Sequence, residues 1–132
     1  MQTYVPSAEQ IQELIQRANN ASVRTYPDPG GYSVAVLTKS GKIFEGVSYK
    51  SDTLTLTMHS EATALAHAAI HGEKDIIAIT GPNCHICKQL IWEHALHTGI
   101  DIQVIIQDKG EVKSVPISRQ MPYPWPDENG NH

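Results

Sequence analysis

Ile76-Ile77-Ala78-Ile79-Thr80-Gly81-Pro82-Asn83-Cys84-His85-Ile86-Cys87 reads as a strand, a turn and the opening of a helix. Residues 76–80 are mostly β-branched, the composition of a short buried strand. Gly81-Pro82-Asn83 turns the chain, and a helix is expected from about Cys84 to Thr98, stopped by Gly99. Upstream, a helix beginning near His59 uses Ala62, Leu65, Ala66, Ala69 and Ile70 as its apolar positions and ends at Gly72. Its small residues allow close approach to a sheet.

The remaining elements follow from the same kind of pattern. Ser7 and Gln10 form a capping box, and Ile11, Leu14, Ile15 and Ala18 recur at helical spacing, so a first helix spans about Ala8 to Asn19. Tyr26-Pro27-Asp28-Pro29-Gly30-Gly31 breaks regular structure and reads as a loop near the functional site. Strands at Tyr32–Thr38 and Lys42–Tyr49 are joined by a tight turn at Ser40-Gly41, and Ser51 to Thr57 is read as loop. Ile102–Ile106 and Val112–Val115 complete the strands, with Asp108-Lys109-Gly110 turning between them. Residues 1–132 are therefore expected to form a single α/β domain with a mixed five-stranded sheet flanked by helices. The tail from about residue 118, which carries Pro122, Pro124 and Pro126, is irregular.

Composition narrows the class. Hydrophobic residues make up 40% of the 132, ordinary for a globular domain, and the longest apolar run falls far short of the roughly 20 residues that span a bilayer. No membrane association is expected. Met1-Gln2-Thr3-Tyr4-Val5-Pro6 lacks the basic and apolar regions of a signal peptide, so a cytoplasmic location is expected. A formal charge of -4 gives no basic footprint for phosphate neutralisation, which disfavours nucleic acid and favours a small, roughly uncharged substrate.

The only two cysteines, Cys84 and Cys87, stand three apart. In a reducing compartment that pattern means metal or redox chemistry rather than a structural staple. With His59 they supply one imidazole and two thiolates, a three-point zinc site whose fourth tetrahedral position stays open. At a helix start the two sulfurs lie on one face, and the positive helix terminus is expected to lower both thiol pKa values. Glu61, two positions after the histidine, is placed to carry protons without binding metal. Two helix termini meeting at the ends of parallel strands form a crevice of the usual ligand-binding kind.

His59-Ser60-Glu61 with the later Pro82-Asn83-Cys84-His85-Ile86-Cys87 resembles the H-x-E and P-C-x-x-C signature of zinc deaminases, specifically the cytidine deaminase family. Glu61-Ala62-Thr63-Ala64-Leu65 is similar to the family's E-R-T-A-[LI], and Cys87-Lys88-Gln89-Leu90-Ile91-Trp92-Glu93 to its C-R-Q-x-L-x-E. Val34-Ala35-Val36-Leu37 before Gly41 and the closing Gln120-Met121-Pro122-Tyr123-Pro124-Trp125 fit its first strand and its tail, so the likeness covers most of the chain. The resemblance implies a three-layer fold and hydrolytic release of ammonia from cytidine, deoxycytidine or a related aminated pyrimidine nucleoside. It implies Zn2+ on His59, Cys84 and Cys87, Glu61 as proton carrier, and the Ser60 backbone N–H on the pyrimidine carbonyl. It further implies a homo-oligomer, tetramer or dimer, in which Trp125 stacks near a neighbour's substrate. An equally open role for Trp125 is a hydrophobic anchor of the tail.

Three departures bear on specificity. Where nucleoside-specific relatives carry G-x-N-x-E-N, this chain has Gly46-Val47-Ser48-Tyr49-Lys50-Ser51, which puts Ser48 at a sugar-binding position and changes its hydrogen-bonding. Asn83 intervenes between Pro82 and Cys84, which shifts the backbone carbonyl expected to accept from the substrate amine. Lys88 replaces an arginine that supports the thiolates, giving charge without a planar fork. A different amino-heterocycle, such as a cytosine-containing antibiotic or a free base, is therefore the alternative substrate. A C-x-x-C redox protein is the alternative class, but it leaves His59 and Glu61 unexplained. A closed structural zinc site lacks a fourth ligand, because His85 points elsewhere on its helix. His67, His71, His94 and His97, with Glu93, read as helix-surface residues.

Overall fold

The computed structural model describes residues 1–129 and 131. Five strands, β1 (Ser33–Thr38), β2 (Ile43–Val47), β3 (Ile76–Thr80), β4 (Gln103–Asp108) and β5 (Glu111–Pro116), form one sheet in the order β2-β1-β3-β4-β5. β3 and β4 are parallel and all other pairs antiparallel, so the sheet is mixed as expected. Helices α1 (Ala8–Ala21), α2 (Ser60–Ile70) and α3 (His85–Thr98) cover it. Short 3-10 turns occupy Ser22–Arg24, Leu54–Leu56 and Ile117–Gln120, the last at the head of the tail, whose other described residues are irregular. No helix among the described residues is long and apolar enough to cross a membrane.

Strand periodicity builds the three layers. Along β1, Ala35 and Leu37 pack with Leu14 and Ala18 of α1, whereas Val34 and Val36 pack with Ala64, Leu65 and Ala68 of α2 and with Ile91, Trp92 and Ala95 of α3. Thus α1 lies on one face and α2 with α3 on the other. The capping box at Ser7 and Gln10 is present, each side chain bonded to the other's backbone N–H. Gly99 ends α3 in the left-handed conformation, with φ of 74°.

The α2 face differs from the expectation. Glu61, Ala64, Leu65 and Ala68 are buried, while Ala66, Ala69 and Ile70 are exposed, Ile70 to 83%. A helix that is apolar nearly all round carries little periodicity to show which side turns inward. Packing against β2 decides it. A Cβ on Gly46 would come 2.1 Å from the Ser60 carbonyl oxygen and 2.3 Å from the Ala64 nitrogen, so only glycine lets α2 approach this strand. That contact sets the start of α2, and with it His59 and Glu61.

Candidate active site

α3 begins where β3 ends, and Cys84 is its N-cap. The Cys84 sulfur accepts the Cys87 N–H at 3.5 Å, so it caps the helix while Cys87 faces inward from the first turn. His59 is the N-cap of α2, and its extended backbone turns the ring toward these sulfurs. The His59 Nδ1 lies 3.2 Å from Cys87 Sγ and 3.5 Å from Cys84 Sγ, and the three ligand atoms all lie within 4.8 Å of one another. Tetrahedral zinc at ordinary bond lengths sets its nitrogen and sulfur ligands roughly 3.5 Å apart. The donor set fits that ion.

The electrostatics favour a cation there. Burial pushes the Cys87 thiol well above its ordinary range, and the neighbouring Cys84 and the Glu61 charge push it further in the same direction. For Cys87 this corrects the expectation that the helix terminus lowers its thiol pKa. Desolvation and nearby negative groups outweigh a partial charge at a helix end, and a bound cation would act in the opposite direction. Both cysteines are free, with Cys84 exposed and Cys87 buried.

Glu61, in the first turn of α2, is only 6% exposed. Its Oε1 accepts from the Ser60 hydroxyl at 2.9 Å and its Oε2 from the Asn83 amide at 2.8 Å. His59, Ser60, Glu61, Gly81, Pro82 and Cys84 form one wall of a cleft of about 750 Å³, whose other walls come from residues 26–34, Ser48, Lys50, Thr57 and Met58. The proline- and glycine-rich segment 26–31 is thus a loop at the site, as its composition predicts. It is held by hydrogen bonds from the Tyr26 N–H to the Ser48 carbonyl and from the Lys50 N–H to the Tyr26 carbonyl. Stacking of Tyr26 on Tyr49, with centroids 4.2 Å apart, reinforces it. The crevice differs from the expected one in its strands. β1 runs antiparallel to β3, so the site lies at the carboxyl end of β3 and not between two parallel strand ends.

The structure brings together His59, Ser60, Glu61, Cys84 and Cys87, and places Ser48 on the same cleft. Trp125 is absent from the cleft lining and is 63% exposed. The tail is anchored by Trp92, buried in the core, whose indole N–H donates to the Pro126 carbonyl at 2.7 Å, and by Gln89, which donates to the Trp125 carbonyl. His85 and His97 are exposed, while a ring nitrogen of His67, His71 and His94 each meets a backbone carbonyl, as surface histidines do. Glu93 pairs with Gln89 along α3. The contact of Asn83 with Glu61 is the feature that sequence reasoning missed. Its only signal is a polar residue inserted beside a ligand cysteine.

Three convergent zinc-type ligands beside a buried carboxylate, on a mixed sheet layered by helices, define a zinc-dependent hydrolase of the deaminase class. Residues 8–100 match the model of the cytidine and deoxycytidylate deaminase zinc-binding region, and the chain belongs to that family. It is 27% identical over 131 residues to a cytidine deaminase of Halalkalibacterium halodurans, covering 91% of this chain and 97% of the relative. The fold is similar to the crystal structure of cytidine deaminase from Burkholderia pseudomallei, with a TM-score of 0.69, 22% identity, and 86% of this chain and 98% of that one covered. It is likewise similar to that from Mycobacterium tuberculosis, with a TM-score of 0.68, 18% identity, and 86% and 95% covered.

Proposed function

We propose that this chain hydrolyses the exocyclic amine of a cytosine-like heterocycle, with cytidine or deoxycytidine as the first substrates to test, and releases ammonia. The observation that carries the reading is the buried Glu61 carboxylate, held by two donors beside the His59, Cys84 and Cys87 ligand atoms. The Halalkalibacterium halodurans relative is named as a cytidine deaminase, which supports the same substrate class.

Zinc on His59, Cys84 and Cys87 would supply a Lewis acid that brings the pKa of a bound water to about 7. The rest is done by the chain's own groups. Glu61 accepts one proton from the attacking water and delivers it to ring nitrogen N3, which makes C4 electrophilic. The water oxygen forms its bond to C4. Glu61 then takes the remaining hydroxyl proton and passes it to the amine, the C4–N bond breaks, and ammonia leaves as the carbonyl forms. Ser60, at the first position of α2, presents a backbone N–H at a helix terminus, where such groups lack intrahelical partners, and serves the pyrimidine carbonyl. Ser48 lines the same cleft and, in this reading, serves the substituent on the ring.

A second reading rests on that substituent's side of the cleft. Ser48 and Lys50 stand there where the resemblance asks for asparagine and glutamate, so a non-ribose amino-heterocycle is the next substrate to offer. The reading also includes a cytoplasmic homo-oligomer, dimer or tetramer, in which the exposed Trp125 reaches a neighbour's cleft. Light scattering after size exclusion measures this, and a monomer removes Trp125 from the site. Activity is tested by ammonia release from cytidine, with Glu61→Gln as control. Turnover that persists in the mutant overturns the role of Glu61. Silence on cytidine from a zinc-loaded protein directs the assay to other aminated rings.

A further inference from the structure

Asn83 makes contacts that the proton-transfer scheme does not use. It is 7% exposed, in the turn between β3 and α3. Its Nδ2 donates to Glu61 Oε2 at 2.8 Å and to the Thr80 carbonyl at 3.2 Å, while its Oδ1 is buried without a partner. Chemistry fixes this orientation of the amide. Exchanging the oxygen and nitrogen would set a carbonyl oxygen against a carboxylate and another carbonyl, three acceptors with no proton to share. An unpaired buried acceptor is costly, so fold stability alone is a poor reason to keep an amide at this position. Gly81 gives Oδ1 its space, since a Cβ there would lie 3.0 Å from it.

The contacts form a chain that reaches into the sheet. Thr80 is the last residue of β3, and its hydroxyl accepts the Ala35 N–H of β1 at 3.0 Å. Ala35, Thr80, Asn83 and Glu61 are thereby linked in series, and Ser60 holds the other oxygen of the same carboxylate. One donor on each oxygen sets the plane of a group that otherwise rotates freely about its last bond. Each oxygen keeps acceptor capacity for a water or a substrate N–H.

We propose that Asn83 is a positioning residue for Glu61, clamping its carboxylate to the end of β3 so that the proton carrier is aimed before substrate arrives. The proposal rests on the reading of Glu61 as proton carrier. Its test therefore joins a kinetic arm to one that needs no substrate. In zinc-loaded protein, Asn83→Ala is expected to keep one zinc per chain and a KM within about threefold, while kcat falls roughly 10²-fold, the scale of a misplaced reacting group. Asn83→Asp, of the same size but with an acceptor facing the carboxylate, is expected to fall at least as far. In the second arm, unfolding midpoints are measured for Asn83→Ala, Glu61→Ala and the double variant. The loss of midpoint caused by Asn83→Ala should largely vanish when Glu61 is already alanine.

An unchanged kcat in Asn83→Ala, or an equal midpoint loss in both backgrounds, overturns the clamp. If Asn83→Ala does not accumulate folded, Asn83→Ser, which keeps a donor, is compared with Asn83→Asp. Higher kcat in the serine variant supports the clamp, and equal values overturn it. If wild-type protein deaminates none of the rings offered, the functional reading fails, whereas the midpoint cycle still decides the contact.

Discussion

Glu61 is a carboxylate kept away from bulk water yet bonded on both oxygens, a setting suited to moving protons rather than holding metal. Glu61→Gln preserves the shape and the nearby ligands and should abolish the proposed proton transfer, worth roughly 10²–10⁴-fold per positioned step. Its expected signature is full zinc occupancy by metal analysis with turnover reduced at least that far. Cys84→Ala and Cys87→Ala should give the opposite pattern, with zinc lost from the purified protein. Retention of stoichiometric zinc by either variant would remove that cysteine from the ligand set. The grouping of His59, Cys84 and Cys87 was legible in the sequence because ligand identity and spacing carry it. The partner of Glu61 was not, since Asn83 is 22 positions away and meets it only when β3 and α2 come together.

At the scale of elements, the approach of α2 to β2 sets the site, and Gly46 is its contact point. Gly46→Ala drives a methyl into the Ser60 carbonyl and the Ala64 amide, two backbone groups that cannot swing aside. Overpacking of this kind costs about 1–3 kcal/mol, and a lower unfolding midpoint together with reduced zinc retention is expected. A second element contact governs acid stability. Arg17 of α1 binds Glu45 of β2 through Nε and Nη2, both 3.1 Å from Oε2. Partial burial raises the Glu45 carboxyl, but the Arg17 hydrogen bond, a backbone hydrogen bond and the Arg17 and His67 charges together outweigh it and leave the group below its ordinary value of 4.5. A depressed carboxyl stabilises the fold above that pH, and the contribution disappears as pH falls through the folded value. Arg17→Gln should therefore cost about 0.5 kcal/mol near neutrality, modest because both side chains are partly exposed. Denaturant titrations below pH 4 should show that difference closing; a constant difference across the range would dismiss the linkage.

For the whole molecule, the ligand triad joins the starts of α2 and α3, so metal binding is folding free energy. Chelation should lower the unfolding midpoint, by about 15 °C when free zinc had stood a thousandfold above its Kd. A midpoint indifferent to chelator would mean that the triad does not hold metal in the folded protein. Element order, the capping box and β3 were read correctly because local propensity and periodicity specify them. Strands β4 and β5 were placed with shorter bounds than observed, since their ends depend on mutual pairing from Gln103↔Pro116 to Asp108↔Glu111.

The sequence by itself determined the class of chemistry. The spacing of His59, Glu61, Cys84 and Cys87 is one-dimensional information, and so are the amphipathic pattern of α1 and the turn residues. Tertiary structure alone decided which face of α2 turns inward, what holds the Glu61 carboxylate, and that Trp92 ties down the tail through the Pro126 carbonyl. It also reversed the expectation for Cys87, whose thiol responds to burial and to charges distant in sequence. The physical reason is common to all four. Each depends on contacts between segments that are remote along the chain, and such contacts leave no period, cap or motif in the local sequence to read.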